Sequence, residues 1–276
     1  MVAKACGGRG VSAPRRVALV TGASGGIGAD LARVFARHGY DIALVARSKE
    51  RLEALADEIA ATGRPRPLVL AYDLTAPDAV EAIAAELLSA NASVGILVNN
   101  AGYGLLGDAA DLDPAAQMGI VDLNVRALAA LCLRFLPELR AGRGKILNVA
   151  SIVGFFPGPG MAMYYASKAF VLSFGEALWH ELRPYGCTVT TLCPGVTVTG
   201  FQERAGFTSD VGIMRFGGAS AASVAESGYA GLMAGRRVVI PGFTNKLLCF
   251  LAPRLPKSAL LPAVASMQKT KGARHT

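Results

Sequence analysis

At 276 residues and 52% hydrophobic, the chain is long enough to bury a sizeable core as one large α/β unit. Its net charge of +8 invites a nucleic-acid reading, yet the basicity sits at the two ends. Lys4, Arg9, Arg15 and Arg16 precede Val17 without an acid, Lys246, Arg254, Lys257, Lys269, Lys271 and Arg274 follow Thr244 without one, and the slightly acidic body between them excludes a basic reading surface.

Five cysteines, Cys6, Cys132, Cys187, Cys193 and Cys249, are odd in number and contain no C-x-x-C pair. They fit buried thiols in a reducing cytoplasm, not a disulfide framework or a zinc site. His38, His180 and His275 are too scattered to build a metal cage or a Ser-His-Asp triad. Residues 1–15 read as a flexible basic arm: they lack the apolar core of a signal peptide, and no later run reaches the length of a membrane span.

In chain order, residues 17–20 are an apolar β-branched run, residues 21–28 a glycine turn, and Ile27, Leu31, Val34 and Phe35 recur at helical spacing. The glycines fall at Gly22, Gly26 and Gly28, spaced G-x-x-x-G-x-G with Gly25 extra. Strand, glycine turn and helix N-terminus together make an anion site, since free N–H groups point outward and glycine lets a pyrophosphate approach the backbone. Further strands are expected at 41–46, 68–72, 95–99, 145–150, 188–192 and 238–240. Helices are expected at 49–61, 79–88, 115–139 with a break near Gly119, 162–182 and 224–234. This alternation predicts a single-domain, doubly wound, mostly parallel sheet of about seven strands with helices on both faces, spanning residues 16–243. Ligands then gather at the carboxyl ends of the strands.

Those strand ends carry polar punctuation. Asp73-Leu74 closes the third strand, Asn99-Asn100-Ala101-Gly102 the fourth and Ser151 the fifth. Cys193-Pro194-Gly195-Val196-Thr197 with Thr199 follows the sixth. Tyr164 and Lys168 lie four apart on one helix face, and Asn124 sits in the preceding helical segment. The turn T-G-A-S-G-G-I-G, the N-N-A-G run, the serine and the Y-x-x-x-K pair, in this order, resemble the short-chain dehydrogenase/reductase family over roughly residues 16–240.

The resemblance implies a Rossmann-type fold and hydride transfer between a nicotinamide and a ketone or secondary alcohol. It implies Asn124, Ser151, Tyr164 and Lys168 as the catalytic set. Tyr164 is the general acid/base, Ser151 holds the substrate oxygen, Lys168 lowers the phenol's pKa and binds the nicotinamide ribose, and Asn124 keeps a relay water. Gly22, Ser24, Gly26, Ile27, Gly28, Asp73, Leu74, Asn100, Ala101, Gly102, Pro194, Gly195, Val196, Thr197 and Thr199, with Tyr164 and Lys168, complete the cofactor contacts. Where a carboxylate would hold an adenosine ribose 2′-hydroxyl, the second strand ends in Ala46 followed by Arg47. A guanidinium there pairs with a 2′-phosphate, so NADP(H) is expected in preference to NAD(H). Tyr165 is a competing phenol, but Ala169 stands four residues on, and it is expected to point elsewhere.

Pocket walls are expected from Tyr103 and the residues up to Leu106, from Phe155, Phe156 and Met161, and from the loop 201–216 with Phe201, Phe207, Ile213 and Met214, within a substrate loop at about 196–220. Mostly apolar, they favour a hydrophobic alcohol or ketone over a sugar or charged metabolite. The loop reads as a lid. Residues 244–276 combine an apolar cluster with basic residues; packing on the substrate lobe or a partner subunit is the preferred reading, and contact with an acidic membrane surface the other. The apolar-faced helices at 115–139 and 162–182 suggest a homodimer or homotetramer. A dinucleotide-binding scaffold without turnover is the alternative function, and an intact Asn124/Ser151/Tyr164/Lys168 set weighs against it.

Overall fold

The structure, a computed structural model, describes residues 14–201, 205 and 218–268. The expected N-terminal arm, apart from its last two residues, and the lid residues Phe207, Ile213 and Met214 lie outside them.

Strand β1 (Arg15–Thr21) has its apolar run fully buried, as a central parallel strand covered on both faces must be. The glycine turn leads into α1 (Gly26–Arg37), whose Leu31, Val34 and Phe35 face the sheet. Then come β2 (Asp41–Ala46), α2 (Lys49–Ala61), β3 (Leu68–Ala71), α3 (Ala79–Ser89) and β4 (Ala92–Asn99). After α4 (Pro114–Val121), a π-helical turn (Asp122–Ala127) and α5 (Leu128–Ala141), β5 (Lys145–Val149) re-enters the sheet. A 3₁₀ turn (Ile152–Phe155), the long α6 (Ala162–Leu182) and β6 (Thr188–Leu192) follow. Short strands β7 (Thr197–Val198) and β8 (Ala219–Ser220) pair with each other across the base of the substrate loop. The chain continues through α7 (Ala221–Met233), β9 (Val238–Val239), α8 (Phe243–Leu251) and α9 (Lys257–Gln268).

Seven parallel strands form one sheet in the order β3-β2-β1-β4-β5-β6-β9. One core layer packs α3, α5 and α6 against the sheet through Ile83, Phe135 and Val171; the other packs α1, α2 and α7 through Phe35, Leu52 and Val224. The strand order reverses between β1 and β4, and a crevice opens where their ends diverge. Thr21 Oγ1 donates to Val98 O (3.2 Å) and accepts from the N–H of Asn100 (2.9 Å) and Ala101 (3.1 Å). Asn100 returns the link, its Nδ2 donating to Thr21 O at 2.9 Å. These bonds fix the floor of the crevice.

The interruption expected near Gly119 falls instead at the π-helical turn carrying Asn124. Gly119 continues α4; it is small because a Cβ there would come within 2.4 Å of the Tyr103 hydroxyl, which donates to Ala116 O at 2.9 Å. The wider turn sends Asn124 inward, where it is 1% exposed. At the far end of the chain, α9 crosses back over the start of α6, burying Leu260 and Val264 against Met161 and Tyr165.

Candidate active site

The crevice is a cleft of about 1010 Å³ running along the carboxyl ends of the strands. At one end lies the glycine turn. Gly22 and Gly26 have φ of +66° and +56°, a region costly for other residues. A Cβ at Gly28 would stand 2.3 Å from Gly22 O, and one at Gly22 would stand 2.7 Å from Asn100 Nδ2. Gly28 therefore lies behind the turn, supporting it, while Gly22, Ser24, Gly26 and Ile27 line the cleft. The first turn of α1 carries no acidic residue, so its free N–H groups and dipole face the cleft uncompensated. This cradle fits the pyrophosphate of a dinucleotide.

Beside it, Arg47, Asp73 and Leu74 line the same end. Asp73 Oδ1 accepts from Thr75 N (3.0 Å) and Oγ1 (2.7 Å), bonds that hold its carboxyl below the usual range. Arg47 Nη1 is 3.9 Å from Asp73 Oδ2, and its side chain is 76% exposed, a loose pairing that leaves the guanidinium facing solvent at the cleft edge. Asn100, Ala101, Gly102, Pro194, Gly195, Val196, Thr197 and Thr199 form the middle of the cleft.

There Ser151, Tyr164 and Lys168 converge, with Asn124 buried behind Gly102. Ser151 caps the 3₁₀ turn, accepting from Val153 N at 3.4 Å, and its hydroxyl donates to Pro194 O at 3.3 Å. Tyr164 lines the same stretch of the cleft as Ser151, which acts to lower its phenol's pKa against the opposing effect of burial. Lys168, 5% exposed, donates from Nζ to Val149 O at 2.9 Å and lies 5.8 Å from the Tyr164 ring centroid. A Cβ at Gly102 would meet both Asn124 Oδ1 (2.9 Å) and Lys168 Nζ (3.4 Å), so glycine is what admits the amine to the cleft floor.

Two details differ from expectation. Desolvation pushes the Tyr164 phenol up, opposed by Ser151 alone, and Lys168 is not among the groups that shift it. Burial acts on the lysine instead, lowering it to about 8. The ammonium sits beside the Tyr164 ring and donates to the Val149 carbonyl. Asn124, in turn, spends its side chain within the protein. Its Nδ2 donates to Tyr103 O (2.9 Å) and Ser167 Oγ (3.0 Å), and its Oδ1 accepts from Tyr103 N (3.1 Å). The carboxamide braces the 102–103 backbone against α6 and has no donor left for a water.

The opposite end of the cleft is apolar. Tyr103, Met161 and Phe201 line it as expected, with Phe201 5.3 Å from the Tyr164 ring. Phe155 and Phe156 do not. The 3₁₀ turn presents Ile152 and Val153 to the cleft, sends Phe155 onto the main core and places Phe156 behind Tyr165, ring centroids 6.0 Å apart. Tyr165 itself lines the cleft and accepts from Gln268 Nε2 at 2.7 Å, 103 positions away in sequence. Gln268 also lines the cleft, and its buried Oε1 has no partner among the described residues. Neither residue carries a local signal; only the closure of α9 over α6 brings them together. Thr21 was also missed, though a threonine ending an apolar strand before a glycine turn is a visible cue.

Comparison with known proteins agrees with this geometry. The family profile described as short chain dehydrogenase matches residues 16–208. Sulfoacetaldehyde reductase 2 of Chromohalobacter salexigens is 37% identical over 75% of this chain and 79% of its own. A short-chain dehydrogenase from Sphingobium yanoikuyae, solved in complex with NADPH, superposes with TM-score 0.77 and 32% identity, covering 95% of this chain and 98% of that one. The bulky-bulky ketone specific alcohol dehydrogenase from Comamonas testosteroni superposes with TM-score 0.72 and 28% identity, covering 88% and 96%. A matching profile over most of the sheet, relatives of this identity and a dinucleotide cradle beside a Ser-Tyr-Lys cluster lead to one conclusion: the chain belongs to the short-chain dehydrogenase family of oxidoreductases.

Proposed function

We propose that the protein is an NADP(H)-dependent carbonyl reductase or alcohol dehydrogenase acting on a lipophilic ketone or secondary alcohol, with Tyr164 as general acid/base. The observation that carries this reading is the convergence of Ser151, Tyr164 and a buried Lys168 on the middle of the cleft, beside the glycine cradle. When bound, the dinucleotide supplies the hydride to the carbonyl carbon, or accepts it in reverse. The chain supplies the proton and the position. Ser151 Oγ orients the substrate oxygen beside the phenol, and the Tyr164 hydroxyl delivers its proton to that oxygen. At neutral pH the phenol holds its proton, as donation to the carbonyl oxygen in the reduction direction requires. Lys168, charged below about pH 8, stabilises negative charge as the proton leaves. Asn124 acts as a positioning residue through the 102–103 backbone and Ser167.

NADP(H) over NAD(H) is supported by Arg47 directly after β2, whose last residue is Ala46 and not a carboxylate that would hold a ribose 2′-hydroxyl and repel a 2′-phosphate. The NADPH-bound structural relative supports the same reading. For the substrate, similar proteins point in two directions, a sulfonated aldehyde and a bulky ketone. Among the described residues lining the cleft, the cations are Arg47, Arg51 and Lys168, the first two at the dinucleotide end; beyond Tyr164 the walls include Leu105, Ile152, Val153, Met161 and Phe201, with Tyr165 and Gln268 adding uncharged polar groups. An apolar end of this kind favours the ketone. Exposed Met118, Leu133 and Phe170 on α4, α5 and α6 support assembly of two or four copies through those helices.

NADPH oxidation with a panel of aryl and alkyl ketones against sulfonated aldehydes tests the reading. Expected is a kcat/KM at least about tenfold higher for the lipophilic compounds. The reverse order overturns the substrate class alone, and NADPH binding without turnover of any compound favours the scaffold alternative.

A further inference from the structure

Helix α8 is oriented the wrong way round for an ordinary surface helix. Its buried side consists of Asn245, Cys249 and, just beyond its end, Ala252; Asn245 donates to Pro241 O at 2.7 Å and packs against Gly195. These contacts fix its rotation. Outward, at i, i+4, i+7 and i+8, stand Phe243 (79% exposed), Leu247 (47%), Phe250 (57%) and Leu251 (47%), flanked by Leu248 (41%) and Leu255 (49%). A helix on the surface normally turns its charged side to water, and a contiguous apolar stripe there marks a docking surface.

The segment that carries the stripe is basic and contains no acidic residue. Lys246 borders it on α8, Arg254 stacks its guanidinium 3.8 Å from the Phe250 ring centroid and bonds Phe250 O, and Lys257 opens α9. From Thr244 to the end of the chain there are six basic residues and no Asp or Glu. A second copy docked face to face would bring these like charges together, since a two-fold contact pairs a patch with itself. An anionic phospholipid surface satisfies both features at once, taking the aromatic and leucine side chains into its interface and pairing the ammonium and guanidinium groups with headgroups.

We propose that α8 and the turn after it form a peripheral docking face for anionic phospholipid membranes. No helix among the described residues is long and apolar enough to cross a membrane, so the contact lies in the plane of the interface. It is independent of the substrate: the stripe lies on the side of α8 away from Gly195 and the cleft.

The test is co-sedimentation of the full-length protein with vesicles of phosphatidylcholine, alone or with phosphatidylglycerol added, alongside Leu247→Ser/Phe250→Ser and Lys246→Glu/Lys257→Glu variants. Circular dichroism melts of each variant, expected to match wild type because the changed side chains are exposed, verify folding. Expected is binding to the anionic vesicles that falls about tenfold or more in high salt, on neutral vesicles and in each variant. Absence of wild-type binding overturns the proposal, as does equal binding by folded variants. A solution mass that drops in Leu247→Ser/Phe250→Ser, without vesicle binding by wild type, assigns the face to a second copy and equally overturns it.

Discussion

At the dinucleotide end of the cleft the shape is made by backbone: Gly22 and Gly26 in left-handed conformations, Gly28 against the Gly22 carbonyl, and the N–H groups opening α1. At the substrate end it is made by side chains from four distant segments, among them Leu105, Val153, Tyr165 and Gln268. Backbone geometry tolerates almost no substitution. Side-chain walls can be exchanged one at a time, which is how one fold serves many substrates. The consequence is a steep gradient in the expected cost of mutation from one end of the cleft to the other.

The steepest effect belongs to Gly28→Ala. Its Cβ would lie 2.3 Å from Gly22 O, and both atoms are tied to backbone that cannot yield without opening the turn. A loss of about 1–3 kcal/mol in stability is expected, together with at least about a hundredfold weaker NADPH binding, read by calorimetry and fluorescence titration. Retained affinity would show that the turn is pliable and blur the contrast between the two ends.

Lys168 comes next. Burial lowers its pKa from 10.5 to about 8, so between those values the unfolded chain holds a proton that the folded chain has released. Stability therefore rises with pH across that window, by up to about 3 kcal/mol from this group. Raised phenols, Tyr164 included, act oppositely above about pH 10, where the unfolded chain loses protons that the folded one keeps. The comparison that isolates the lysine is wild type against Lys168→Met. The variant's advantage in Tm should shrink as pH rises from about 8 to about 10; a constant difference would mean the amine is not desolvated.

Arg47→Ala should weaken NADPH about tenfold and leave NADH unchanged, because the guanidinium is exposed and only loosely paired with Asp73. Equal loss for both cofactors would remove Arg47 as the phosphate reader. The smallest effect is expected at the opposite end. Gln268→Leu breaks the bond to Tyr165 but also removes a buried acceptor that has no partner among the described residues, so stability should change by less than about 1 kcal/mol. KM for a ketone should shift a few-fold with NADPH affinity unmoved; a large NADPH effect would show that the two ends are coupled.

The same division explains what could be read along the chain. Motifs whose parts are close in sequence were legible: the glycine turn, Asn100-Ala101-Gly102, and Tyr164 with Lys168 one helical turn apart. The sheet itself was equally legible from apolar runs alternating with helical periodicity. Interactions that depend on long-range closure were not. Nothing local to Tyr165 announces Gln268, and the π-helical turn that carries Asn124 inward has no breaker residue to mark it. Phe155 and Phe156 look like wall residues by composition, yet the 3₁₀ turn started by the Ser151 cap aims them away from the cleft. Spacing puts Lys168 near Tyr164, but only coordinates show the amine bonded to Val149 O.

The proton-donating role of Tyr164 is tested most directly by single-turnover reduction of a lipophilic ketone by pre-bound NADPH, wild type against Tyr164→Phe, with NADPH affinity measured in parallel. A rate about a thousandfold lower at nearly unchanged affinity is the expected result. Turnover by the phenylalanine variant at close to the wild-type rate would contradict it.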